Sequence, residues 1–164
     1  MKYISKKNNI KKHKIFMISS AGGHLNELYK VIDILEGYQI FLITEKVKIN
    51  TSKNVSKVMY LPKGGRENIF LFALKFIINF ILSFYWLCVY RPDCVISTGA
   101  HTAVPTIILA RLMRVKSIYI ESYARVSKPS LTGRLVYAHV DIFYVQWPEM
   151  ILHYPKARYI GALY

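Results

Sequence analysis

Between Ile15 and Leu25 the sequence reads IFMISSAGGHL, and this stretch leaves the backbone few options. Five mostly apolar residues, Ile15 to Ser19, run straight into Ser20-Ala21-Gly22-Gly23-His24. Leu25, Leu28, Ile32 and Leu35 then recur at a helical interval until Gly37. The pattern is strand, tight glycine turn and helix, the opening of a βα unit. Paired glycines let a ligand come close to the backbone, and free N–H groups with the dipole of a helix start favour an anion such as a phosphate or diphosphate. The turn lacks both the full G-x-G-x-x-G and the Lys-Ser/Thr ending of a P-loop, so spacing alone leaves an empty βα turn equally open. His24 and Glu27 place titratable groups beside it.

The rest of the chain repeats the alternation. Apolar strands are expected at Gln39 to Thr44, Lys57 to Leu61, Asp93 to Ser97, Val115 to Glu121 and Asp141 to Gln146, with Arg158 to Ile160 closing the chain. Helices are expected from Pro105, near a first turn, to about Arg114, and from Leu131 to His139. Thr98-Gly99-Ala100-His101 makes a second glycine turn. Strands alternating with helices predict an α/β, Rossmann-like domain with a mainly parallel sheet, whose ligands bind at the carboxyl ends of the strands. Both glycine turns, Glu121 and the loop carrying Arg125 and Lys128 then fall on one rim.

Ile69 to Tyr90 is the anomaly. Its 22 residues would extend about 33 Å as a helix, enough to span the roughly 30 Å hydrocarbon layer. Only Lys75, Asn79 and Ser83, spaced four apart, interrupt it, as one narrow polar stripe. The strands on either side should lie parallel in one sheet, so the connecting helix has to return to the same side. The segment therefore reads as monotopic or deeply packed, with Phe84, Tyr85, Trp86 and Tyr90 suited to a membrane interface. A wholly buried core helix is the other reading.

Charge and composition point the same way. A net charge of +14 and a pI near 9.8 call for an anionic neighbour. With 53% apolar and 14% aromatic residues the chain is greasier than a typical nucleic-acid binder, and its aromatics concentrate in the lipid-like segment rather than among basic residues. A membrane surface is the expected partner, nucleic acid is not. The arm of residues 1–14 carries six lysines and either lies against anionic lipid or is a solvated tail. Cys88 and Cys94 have no metal or CxxC spacing and read as reduced core residues. No His, Asp or Glu pair has ligand spacing, no nucleophile elbow is present, and only Glu45 could serve as a ribose-binding acid, so metal, acyl-enzyme and dinucleotide chemistry are not expected. Phosphate binding with a general base remains: His24 or Glu121 could take a proton from an attacking hydroxyl, or each could be structural.

Ser19 to Leu28 (SSAGGHLNEL), Arg91 to Ala100 (RPDCVISTGA) with Pro105, and Ile118 to Ser122 (IYIES) together resemble the bacterial polysaccharide-biosynthesis family of the PssD/CpsF type. That family is similar to the membrane-anchoring subunit of the eukaryotic two-subunit lipid-linked N-acetylglucosaminyltransferase, and to the N-terminal, acceptor half of MurG, a GT-B glycosyltransferase. The resemblance implies a single acceptor-binding domain over 15–164, bearing a membrane-associating helix at 69–90. It implies an accessory subunit in capsular or exopolysaccharide synthesis, without a cofactor. Such a subunit binds a polyprenyl-diphosphate-linked sugar and recruits a separate small catalytic subunit that holds the nucleotide-sugar. It would be half of an inverting hexosyltransferase, inactive alone, as its length also suggests, and would sit on the cytoplasmic face of the plasma membrane. Carried onto this chain, the resemblance makes Gly22, Gly23 and His24 the first acceptor loop, Thr98 and Gly99 the second, and Glu121 a further cleft residue. MurG has a longer glycine run than SSAGGH, and its HEQN-like segment reads IESYAR here. The competing class is a stand-alone basic module for anionic lipid or nucleic acid.

Overall fold

The computed structural model describes residues 12–47, 51–63 and 68–163. Seven strands form one sheet: β1 (Lys14–Ser19), β2 (Gln39–Glu45), β3 (Val55–Leu61), β4 (Cys94–Gly99), β5 (Lys116–Ile120), β6 (Ile142–Val145) and β7 (Arg158–Tyr159). Their order is β3-β2-β1-β4-β5-β6-β7, and every pairing is parallel. Neighbours on both sides and helices on both faces bury the central strands, which is why they are nearly continuous apolar runs.

Alternation along β1 and β2 decides which residue meets which helix layer. Ile15, Met17, Ile40 and Leu42 point to one face, where α1 (Gly23–Ile34) covers them with Leu25, Leu28, Val31 and Ile32. Phe16, Ile18, Phe41 and Ile43 point to the other, which packs against α2 (Ile69–Tyr90) and α3 (Ala103–Leu112) through Leu87, Val104 and Ile107. A shorter helix, α4 (Leu131–Val136), continues as a 3-10 turn to His139 and joins that second layer through Val136.

The second glycine turn lies later than its sequence suggests. β4 runs on through Thr98 and Gly99, because a register shift between Ile18 and Ser19 pairs Ser19 with Gly99. The bend falls at Gly99 and Ala100, where φ is 119° and 72°.

The long helix α2 is inverted relative to a helix on a water-soluble domain. Asn79, Ser83 and Leu87 are its buried residues, so the polar stripe faces inward: Ser83 Oγ and Thr106 Oγ1 of α3 share a hydrogen bond of 2.8 Å. Ile69, Phe70, Leu71, Leu74, Ile77, Ile81, Phe84, Tyr85 and Val89 lie outside, and only 11% of its most apolar stretch is buried. The buried-core reading therefore fails, since the core has no use for that face. Phe84 and Tyr85 are exposed as expected of membrane residues, but Trp86 turns inward onto the core and Tyr90 packs between Phe16 and Phe41. The thiols also depart from expectation: Cys88 is exposed on α2 and Cys94 only half-buried.

The two ends of α2 are firmly defined. Asn68 caps its start, its side chain accepting from the Phe70 and Leu71 N–H groups. At the other end Lys14 Nζ donates to the Tyr90 carbonyl, and Arg91 takes the left-handed conformation. A helix of 22 residues is about 33 Å long and a six-residue strand about 20 Å. With its end held at Lys14, the first residue of β1, α2 is longer than the strands, and its first turns reach the carboxyl-end rim, where Ile69 and Phe72 meet His101 and Leu131. The basic arm lies almost wholly outside the described residues, as does the loop over 64–67.

Candidate functional site

A polar pocket of about 330 Å3 opens at the carboxyl ends of β1 and β4, lined by Ser20, His24, Ala100, His101, Arg125, Ser130, Leu131 and Thr132. It sits where the strand order reverses direction around β1, the position at which open parallel sheets bind ligands. Three loops build it: the β1–α1 turn, the β4–α3 turn, and the segment between β5 and α4.

In the first loop Gly22 has φ of 91° and serves as the N-cap of α1 with no side-chain cap bond, so the first turn of the helix presents backbone donors. A Cβ on either Gly22 or Gly23 would meet nothing within 4 Å, so both glycines border open space. Only Gly22 needs its glycine for backbone conformation.

His24 is held from β4. Its Nδ1 lies 2.9 Å from the Thr98 carbonyl, and since a carbonyl only accepts, Nδ1 carries the proton and Nε2 is the ring nitrogen left for the pocket. The Thr98 hydroxyl donates in return to the His24 carbonyl at 2.6 Å. Gly99 completes the fit, because a Cβ there would stand 3.0 Å from His24 Nδ1 and 3.2 Å from the Tyr119 hydroxyl. Thr98 and Gly99, expected to contact the ligand, are both buried and instead seat the histidine.

Glu121 was expected in the cleft as a proton acceptor. It is 1% exposed, and its carboxylate is taken up by donors: the Ser122 N–H on one oxygen, and Ser130 N–H, Ser130 Oγ and Tyr154 OH on the other, at 3.0–3.3 Å. Burial and this neighbouring carboxylate push the Tyr154 hydroxyl far above the ordinary tyrosine range, so Tyr154 donates its proton permanently. Gly133 is required beneath it, since a Cβ there would collide with the Glu121 carboxylate. Glu121 therefore braces Ser130 against the pocket wall and does not face the cavity.

Glu27 is a further buried carboxylate, bonded to the residue that follows Glu121. It accepts from Ser122 Oγ at 2.9 Å, Tyr123 N–H at 3.2 Å and Gln146 Nε2 at 3.1 Å, while Gln146 Nε2 also donates to the Glu121 carbonyl at 3.0 Å. Burial raises its pKa, and the bond from Ser122 opposes that rise only in part. Together Glu27, Gln146 and Glu121 pin the start of the loop that carries Arg125 to the pocket. Lys128 is exposed and does not line it. Ser130, Gln146 and Tyr154 were not legible as site residues. Ser130 alone had a local signal, a serine directly before a helix with a glycine three residues on.

The family described as "Oligosaccharide biosynthesis protein Alg14 like" matches residues 15–163. The chain belongs to that family. The human "UDP-N-acetylglucosamine transferase subunit ALG14" is 35% identical, over 91% of this chain and 82% of its own length. The Schizosaccharomyces pombe subunit of the same description is 29% identical, over 97% of this chain and 87% of its own. Among solved structures, Acinetobacter baumannii MurG superposes with a TM-score of 0.68 at 17% identity, covering 84% of this chain. UDP-N-acetylglucosamine 2-epimerase from Rickettsia bellii gives 0.70 at 12% identity, covering 93%. These likenesses establish the Rossmann-like fold of a GT-B N-terminal domain. The Alg14-family chain spans 42% of the MurG chain and 45% of the epimerase, less than half of either.

Proposed function

We propose that this chain is the membrane-associated, acceptor-binding subunit of a two-subunit glycosyltransferase. Its pocket receives the diphosphate of a polyprenyl-linked sugar, and a separate small catalytic subunit brings the nucleotide-sugar across the cleft. The observation that carries this reading is the convergence of Ser20 of the β1–α1 turn, His24 in the first turn of α1, and Arg125 on one pocket at the carboxyl ends of the strands. Backbone donors and a guanidinium suit a diphosphate, and a histidine within the same walls suits the acceptor hydroxyl. The description of the relatives as subunits of a UDP-N-acetylglucosamine transferase supports the division of labour and makes UDP-N-acetylglucosamine the first donor to test.

In this mechanism the Gly22-Gly23 turn and Arg125 hold the diphosphate. His24, its Nδ1 proton spent on Thr98, accepts the acceptor hydroxyl's proton at Nε2 as that oxygen bonds to the donor's anomeric carbon from the opposite face. The anomeric bond to the nucleoside diphosphate breaks, and the nucleoside diphosphate leaves with the partner subunit. Glu121 acts as a positioning residue through Ser130. The apolar outer face of α2, with Phe84 and Tyr85, lies in the cytoplasmic leaflet of the plasma membrane without crossing it, assisted by the basic arm. The product is a capsular or exopolysaccharide precursor.

Reconstitution tests this. The chain with its catalytic partner should transfer sugar from UDP-N-acetylglucosamine to a polyprenyl-diphosphate-linked acceptor, and the chain alone should not. Robust turnover by the isolated chain would overturn the division of labour. A partnered chain in which Gly23→Val and His24→Ala leave the acceptor KM and turnover untouched would overturn the acceptor site.

A further inference from the structure

A second cavity, of about 360 Å3, adjoins the polar pocket. Ile69, Phe72 and Phe76 of α2 form one wall, Val104 of α3 the floor, and Leu131 and Leu135 of α4 the other wall. Its lining is as apolar as the first pocket's is polar. The two cavities meet at a shared lining: His101, Leu131 and Thr132 belong to both. The Phe72 ring lies 5.4 Å from the His101 ring, tilted by 46°, so the residue common to both chambers packs on the wall of the apolar one.

The first two turns of α2 supply one side of this groove, and α4 with the β4–α3 turn supplies the other. Ile69, Leu131 and Leu135 are more than half exposed, so the groove opens outward at its rim. The same helix end carries exposed Phe70, Leu71 and Leu74 on its outer face, so the way out of the groove leads onto the apolar surface.

We infer that this groove binds the first isoprene units of the polyprenyl chain whose diphosphate occupies the His24 and Arg125 pocket. The inference rests on the acceptor reading and extends it from the head of the lipid to its tail. One molecule with an anionic head and an apolar tail fills two joined cavities of matching character, whereas a free nucleotide or sugar phosphate would leave the second chamber lined by unused apolar surface. Holding the proximal tail also lifts the diphosphate out of the leaflet to the level of the glycine turn, which a head-group contact alone would not do.

The test uses the full chain in detergent with three probes: inorganic diphosphate, isopentenyl diphosphate and geranylgeranyl diphosphate. The polar pocket predicts that all three compete for one site. The groove predicts that geranylgeranyl diphosphate binds at least about tenfold tighter than isopentenyl diphosphate, since several buried CH2 groups are added. Leu135→Asp and, separately, Ile69→Asp should each remove most of that gain; both positions are exposed enough to accept a carboxylate without unfolding. A gain that survives both substitutions places the tail in the micelle and overturns the inference while leaving the acceptor reading intact. The absence of any gain with chain length does the same. Failure of inorganic diphosphate and both prenyl diphosphates to bind overturns the acceptor reading, and the inference with it.

Discussion

His24 and Thr98 are joined twice across the rim of the sheet, the ring Nδ1 donating to the Thr98 carbonyl and the Thr98 hydroxyl donating to the His24 carbonyl. The β4 carbonyl thereby determines the tautomer of a histidine on α1. Thr98→Val removes the hydroxyl but keeps the carbonyl and the volume. It should cost about 1 kcal/mol in stability. With the partner present it should lower turnover less than His24→Ala does, because the ring keeps its tautomer and loses only its backbone anchor. An equal loss in both variants would place the chemistry elsewhere.

Gly22 and Gly23 should respond differently to alanine. Gly23 is the first residue of α1 and has no need of positive φ, so Gly23→Ala should leave thermal stability unchanged or raise it slightly, by up to about 1 kcal/mol. Acceptor KM should nevertheless rise, and rise further in Gly23→Val. Gly22→Ala carries a backbone cost of about 1 kcal/mol or more, visible as a lower Tm before any ligand is added.

Glu121→Gln sets an amide NH2 among donors that the carboxylate now satisfies. A destabilisation of about 1–3 kcal/mol should follow, read by denaturant unfolding. Diphosphate affinity should fall as well, because Ser130 loses its brace. A Glu121→Gln variant with wild-type stability but no turnover would instead make Glu121 a proton acceptor.

Glu27 makes stability depend on pH in an unusual direction for a carboxylate. Its folded pKa is raised above the ordinary 4.5, so the folded chain binds a proton more tightly than the unfolded one. Its contribution is therefore greatest below 4.5 and is lost as pH rises through the folded value. Glu27→Gln should flatten the stability profile in that window. An unchanged slope would assign the dependence to another group.

The outer face of α2 should be readable with thiol chemistry. Cys88 is exposed there, while burial pushes the Cys94 thiol up to about 11, so a water-soluble maleimide at neutral pH reacts first with Cys88. Anionic vesicles should protect Cys88, and high salt should reverse that protection only partly. Phe84→Asp should weaken vesicle binding at constant Tm, whereas Trp86→Ala should lower Tm, because Trp86 packs on the core. Loss of Tm in Phe84→Asp would mean that this face is covered by protein.

Much of this was present in the chain before it folded. The strand, glycine turn and helix at Ile15 to Leu35, the parallel alternation, and the apolar Ile69 to Tyr90 segment all follow from local periodicity, because a βα unit writes its strand and its turn in consecutive residues. Tertiary structure alone decided what faced what. The Lys75, Asn79 and Ser83 stripe is visible in the sequence, but only the packing of α3 against it turns it inward and leaves the apolar face outside. Strand ends put Glu121 and the Thr98 turn on one rim and the family resemblance makes them cleft residues, yet whether such a side chain faces the cavity or a neighbour depends on partners such as Tyr154, 33 residues beyond Glu121. The joined polar and apolar chambers need α1, α2, α3 and α4 together, and no single stretch of sequence encodes a distance between helices.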